Sequence, residues 1–190
     1  MNQDSTLSSV GTAWPALAAS LLDFEAHPGR YPLAAREPRL LFDHGTELLS
    51  LASGRAVPGL PQDDTLQAQL RKAARFFVRT AMLRPGADHY TLMGLTMAFE
   101  PGVLREHYRM LMRLTHPDFA GDERAWPQDA ATRINQANDV LSSPSRRQDY
   151  DRTRGAARLF GSPPAQGVTG QRQPPRPNPP RRSAPVGHPR

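Results

Sequence analysis

At the end of the run RMLMRLTHPDFAG, an imidazole, a ring-locked proline and a carboxylate follow one another as His116, Pro117 and Asp118. Pro117 lacks an N–H and pushes the residue before it out of helical geometry, so a helix must end there. His116 and Asp118 then project from a constrained turn, which loses little entropy when a partner binds. Ionised Asp118 can accept a bidentate hydrogen bond from an arginine on another molecule. This chemistry is recognition rather than catalysis. The chain has no cysteine, which excludes thiolate nucleophiles and cysteine-ligated zinc. No phosphate-binding glycine loop or nucleophile elbow is present. His116 and Asp118 have no third metal ligand at a recognisable spacing. The expectation is a protein that is not an enzyme and needs no cofactor or metal.

The turn needs a rigid element behind it. Wound at 100° per residue, 102–115 puts Leu104, His107, Tyr108 and Leu111 in one sector. Arg105, Arg109 and Arg113 recur every four residues on another face. The segment is therefore expected to be a helix, apolar inward and cationic outward. Tyr108 lies on the border, where its ring can pack while its hydroxyl reaches solvent or a partner. His107 is expected to be a half-buried packing residue. An arginine stripe taken alone is better read as a solvated face; the adjacent turn is what makes it a candidate docking surface.

Other helices are expected around this one, giving an all-α fold. Residues 1–38, broken by Pro15, Pro28, Pro32 and Pro38, predict a weakly structured segment with a short helix at 16–24. A helical extension follows over 39–86. Within it, Leu41 to Ala52 show near-helical spacing before Gly54 stops the run. Leu66, Leu70, Ala73, Phe77 and Ala81 share one face of a helix that Asp63 or Asp64 caps and Pro85-Gly86 ends. Residues 87–153 form a helical unit. Pro101 opens its long helix, Ile134, Ala137 and Leu141 line another, and Ser143-Pro144 starts a last one.

From residue 154 onward the pattern predicts a disordered tail. Residues 162–190 contain nine prolines, no acid and no large apolar residue beyond two valines, too little to offset ordering entropy. Eight arginines and no acid follow Asp151, and subtracting them from the net +6 leaves residues 1–151 at −2. The basicity thus belongs to the tail, not to a folded nucleic-acid-binding surface. Pro174, Pro177 and Pro180 give P-x-x-P spacings that suit SH3-type grooves, and the same arginines could neutralise nucleic-acid phosphates. A plain solubilising tail is the simpler reading. No run of eighteen apolar residues suggests a transmembrane helix. The N-terminus lacks the basic start of a secretory signal, so a cytoplasmic protein is expected.

The pattern resembles the J-domain of DnaJ-type co-chaperones. Asp88-His89-Tyr90 and Leu92-Met93-Gly94-Leu95 resemble that family's opening block. Leu104, Tyr108-Arg109 and Leu111 match its second helix, and His116-Pro117-Asp118 its signature loop. Ile134-Asn135, Ala137 and Val140-Leu141-Ser142 match the third helix, and Arg147 with Tyr150-Asp151 the fourth. A lone His-Pro-Asp arises in roughly one in a hundred chains of this length, so the ordered blocks carry the resemblance. Four positions depart from the family: Asn138 and Ala131 stand where aromatic residues are usual, His107 replaces a small residue, and Phe119 a basic one. A thinner core between the second and third helices follows, for Trp126 or an upstream helix with Phe76 and Phe77 to compensate.

The resemblance implies a minimal J-protein without a glycine/phenylalanine-rich or zinc region. It implies a DnaK-type ATP-dependent chaperone as partner, stimulated by His116, Pro117 and Asp118. Arg105, Tyr108 and Arg109 would dock on that partner, with Arg113 extending the stripe, and a client would be met through residues 1–86. The alternative is a J-like adaptor that binds a protein or nucleic acid without ATPase stimulation.

Overall fold

Helix starts and stops are set largely by local chemistry. The computed structural model describes residues 7–116 and 126–160, and among these there is no strand. The α-helices are α1 (Leu7–Ala26), α2 (Arg39–Asp43), α3 (Gly45–Ala52), α4 (Asp64–Phe77), α5 (His89–Leu92), α6 (Pro101–Thr115), α7 (Ala130–Ser142) and α8 (Pro144–Phe160). The expected all-α architecture is present. The chain divides into two units, 1–152 and 153–190, and the packing described below lies within the first.

In the segment 1–38, the short helix expected at 16–24 is present but belongs to a longer one, the twenty-residue α1 with Pro15 inside it. An interior proline costs about 3 kcal/mol through a lost hydrogen bond and a ring clash. Trp14, Leu17, Leu21 and Phe24 lie on one face of α1 and are buried. Each such burial contributes about 1.5–3 kcal/mol, so the apolar face outweighs the proline. The Trp14 indole also donates to the Pro58 carbonyl at 2.8 Å.

The single run expected from Leu41 to Ala52 is interrupted at His44, giving α2 and α3. The interruption brings Gly45 backbone to backbone with the loop after α5: a β-carbon on Gly45 would lie 2.5 Å from the Gly94 carbonyl oxygen. Gly54 ends α3 as expected. It has a left-handed φ of 73°, its N–H reaches Leu51 O, and the Arg55 N–H reaches Ser50 O at 2.9 Å. That pair of bonds is a Schellman cap. Asp63 caps α4 by accepting the Leu66 N–H at 3.0 Å. Leu70, Ala73 and Phe77 are buried as expected. The helix then widens into a π-helical turn, Val78–Met82, that also buries Val78, Ala81 and Met82.

One hydrophobic core runs from Trp14 to Leu141, across both boundaries expected at 38/39 and 86/87. The residues expected to compensate for Asn138 and Ala131 sit at different places in this core. Phe77 packs against Phe24 and Phe42. The helical unit beyond residue 87 is met by α3 and the π turn, where Leu49 and Met82 approach Gly94. Trp126 is partly buried against the same core. Helix α8 continues to Phe160, past the expected tail start at 154. Residues 161–190 lie outside the described residues, as do the P-x-x-P spacings.

Candidate partner-docking site

Helix α6 carries the candidate site, and its start and end are both set by proline. Pro101 occupies the first turn, where its missing N–H is not needed. At the other end His116 is exposed and extended, with φ −71° and ψ 132°, the conformation that a following proline imposes. Pro117, Asp118 and Phe119 lie outside the described residues. Between these ends the two faces separate as expected. Leu104, His107 and Leu111 are buried, together with Met110 and Leu114, which the sequence reading did not single out. Arg105, Arg109 and Arg113 are exposed. Tyr108 is partly buried, and its hydroxyl donates to Asn135 Oδ1 on α7 at 2.8 Å. The helix thus brings Arg105, Tyr108, Arg109, Arg113 and His116 onto one element.

His107 is not half-buried. It is 1 % exposed and bonded through both ring nitrogens. Its Nδ1 lies 2.8 Å from the Met93 carbonyl, and its Nε2 lies 2.8 Å from the Thr46 hydroxyl. A carbonyl can only accept, so Nδ1 donates and Nε2 accepts from Thr46. The ring is held neutral: burial lowers its pKa, against the Met93 bond and the nearby Glu106 and Glu47. This bridge joins α6 to α3. Ser50 Oγ on α3 also donates to Met110 Sδ at 3.6 Å, and Arg36 Nη1 donates to the Leu95 carbonyl at 3.1 Å. The Thr46, Met110 and Leu95 contacts join residues 61, 60 and 59 positions apart, and no local signal announces them.

A second set of contacts closes the unit that carries α6. The Tyr90 hydroxyl lies 2.8 and 3.0 Å from the two Asp151 carboxylate oxygens. Burial, then this carboxylate, raises the Tyr90 pKa. Tyr150 stacks on His89 with centroids 4.3 Å apart and accepts the His89 backbone N–H at 2.9 Å. Burial lowers the His89 pKa. Arg147 donates to the Met97 carbonyl and places its guanidinium 4.4 Å from the Phe99 ring centre. Arg133 reaches back to the Leu83 and Arg84 carbonyls at 2.9 and 2.7 Å. The opening and closing blocks of the sequence pattern are thus bonded to each other, which accounts for their residue types at that separation.

Among the described residues no cluster of three or more His, Asp or Glu forms a candidate metal site. No described helix is long and apolar enough to cross a membrane. The sequence reading did not single out Arg55 and Glu106, which meet at 2.9 Å beside Arg105 and Arg109. The Gly54 stop signal, one residue before Arg55, was the available clue.

Residues 88–151 match the family model of the DnaJ domain. The same region is similar to chaperone protein DnaJ of Leifsonia xyli subsp. xyli, 40% identical over 75 residues that cover 40% of this chain and 19% of the relative. It is similar to chaperone protein DnaJ of Bifidobacterium longum, 38% identical over 65 residues, 34% of this chain and 16% of the relative. Chaperone protein DnaJ 1 of Streptomyces coelicolor is 32% identical over 75 residues, 40% of this chain and 18% of that protein. The chain thus spans less than a fifth of the length of these relatives. No solved structure matches it. The family match, the block order and the Tyr90–Asp151 closure agree: residues 88–151 of this chain are a DnaJ domain.

Proposed function

We propose that this protein is a co-chaperone whose J-domain binds a DnaK-type ATP-dependent chaperone, stimulates its ATPase and recruits it to a client. The observation that carries the reading is the outer face of α6. Arg105, Arg109 and Arg113 are exposed along a helix whose inner face is fixed in the core, and the stripe runs toward exposed, extended His116. Cationic groups on a rigid helix steer an acidic partner and set its register. His116, Pro117 and Asp118 then act as the stimulating loop, with Asp118 accepting from a partner arginine. Arg105, Tyr108, Arg109 and Arg113 form the docking surface. The protein supplies no catalytic group of its own and works in the cytoplasm beside its partner. A client is met through residues 1–86, and within 14–86 much of the apolar surface is committed to the shared core.

The test is the single-turnover ATPase rate of a DnaK-type chaperone with the full chain and with Asp118→Asn. The unmodified chain should accelerate hydrolysis at least tenfold, and the variant should lose that acceleration while keeping its helical circular dichroism. Equal rates with both proteins would refute the assignment.

A further inference from the structure

Arg55 belongs to the extension rather than to the J-domain, yet it stands at the edge of the α6 stripe. An open cleft is lined by Arg55, Gly102, Arg105, Glu106 and Arg109. Three guanidinium groups and one carboxylate surround it, so its rim is net cationic. Arg55 is held there by several independent contacts. Its backbone is fixed by the Schellman cap through Ser50. Helix α3 is fixed to α6 by the Thr46–His107 and Ser50–Met110 bonds. Its guanidinium bonds to Glu106 at 2.9 Å, with both side chains about half exposed at 53% and 46%. Exposed pairs are weak, so Arg55 can exchange Glu106 for a carboxylate on another molecule. While paired, it also neutralises the one acid that would repel such a partner.

We infer that the α3–α4 loop completes the docking surface. On this view Arg55, Arg105 and Arg109 together clasp an acidic segment of the DnaK-type chaperone across the cleft above Gly102. The inference rests on the function proposed above and deepens it. The partner chemistry follows from charge complementarity, because three exposed arginines favour carboxylates and disfavour a basic or apolar surface. Gly102 leaves the cleft open: a β-carbon built there meets nothing within 4 Å.

The experiment measures the concentration of full-length protein that gives half-maximal ATPase stimulation, and the maximal rate at saturation. Arg55→Ala should raise that concentration about threefold to tenfold, as expected for loss of one charge at an interface rim. Arg55→Glu should raise it further, and the salt dependence should become shallower in both. Glu106→Gln, which frees Arg55 from its internal acid, should lower it. Gly102→Leu should fill the cleft and raise it without lowering the melting temperature. The maximal rate should hold in every case, since it depends on the loop at Asp118. If the unmodified chain stimulates and Asp118→Asn does not, yet both Arg55 variants match the unmodified chain, the composite surface is overturned and the functional reading stands. If the unmodified chain fails to stimulate at all, both fall.

Discussion

Residues 14–86 pack through an aliphatic core with a cluster of aromatic rings inside it, whereas the two ends of the DnaJ domain are tied together by polar contacts. In the first region Phe24 meets Tyr31, Phe76 and Phe77 at centroid distances of 5.3–5.9 Å, and Phe42 meets Phe77 at 5.1 Å. In the second, Tyr90–Asp151, His89–Tyr150 and Arg147–Met97 tie the first turn of the domain to its last helix. Ring packing is non-directional and accepts many arrangements of similar volume. Hydrogen bonds require particular groups at fixed geometry. The DnaJ domain therefore carries a readable pattern of residue types, whereas the preceding region is read from periodicity and helix-end signals.

The sharpest way to break this comparison is Phe77→Ala. The ring is fully buried between two others, and such truncations cost about 3–5 kcal/mol. Because the core is continuous, denaturant unfolding followed at Trp14 and at Trp126 should still show one coincident transition at lower midpoint. Separate transitions would mean that the two regions do not share their stability. Gly45→Ala tests the seam itself. The new β-carbon would collide with the Gly94 carbonyl, and overpacking of this kind costs about 1–3 kcal/mol. Gly102→Ala is the control, with open space at its β-carbon, and should not lower the midpoint, since alanine favours the helix more than glycine does. Tyr90→Phe removes one hydroxyl while Arg147 remains 3.9 Å from Asp151. A loss of about 0.5–1.5 kcal/mol is expected from urea titration, which would show how much a single polar tie contributes.

The mildest perturbation is acid. His107 and His89 both have pKa values lowered by burial, so the unfolded chain takes up protons first as pH falls below about 6.5. More protons on the unfolded state means stability rises with pH through this window and is lost on acidification. The unfolding midpoint should drop between pH 7 and 5.5, less steeply in His107→Gln. A midpoint rising toward pH 5.5 would contradict the neutral bridge.

Much of this was legible because local chemistry decides it. Asp63, Gly54, Pro101 and Pro144 mark helix ends without help from distant residues. The two faces of α6 follow from spacing alone, and so does the placement of the arginine stripe. Helix α1 was legible only in part: the short helix expected at 16–24 lies within it, but Pro15 signals a break that only burial of Trp14, Leu17, Leu21 and Phe24 overrides. The Thr46 and Met93 partners of His107 and the Arg55–Glu106 pair join residues distant in sequence, and periodicity has no means of encoding them.

The close approach of Gly45 to Gly94 has a consequence for anyone recombining this protein. With main chain against main chain, that junction has no room for even a methyl group between the segments. A chimera spliced at residue 87 would strip Leu49 and Met82 from beside Gly94 and leave His107 without its threonine. A transplantable cassette must therefore start before α1, and a homologous J-domain dropped in behind this extension would need a glycine, and a ring nitrogen facing Thr46, at the matching places.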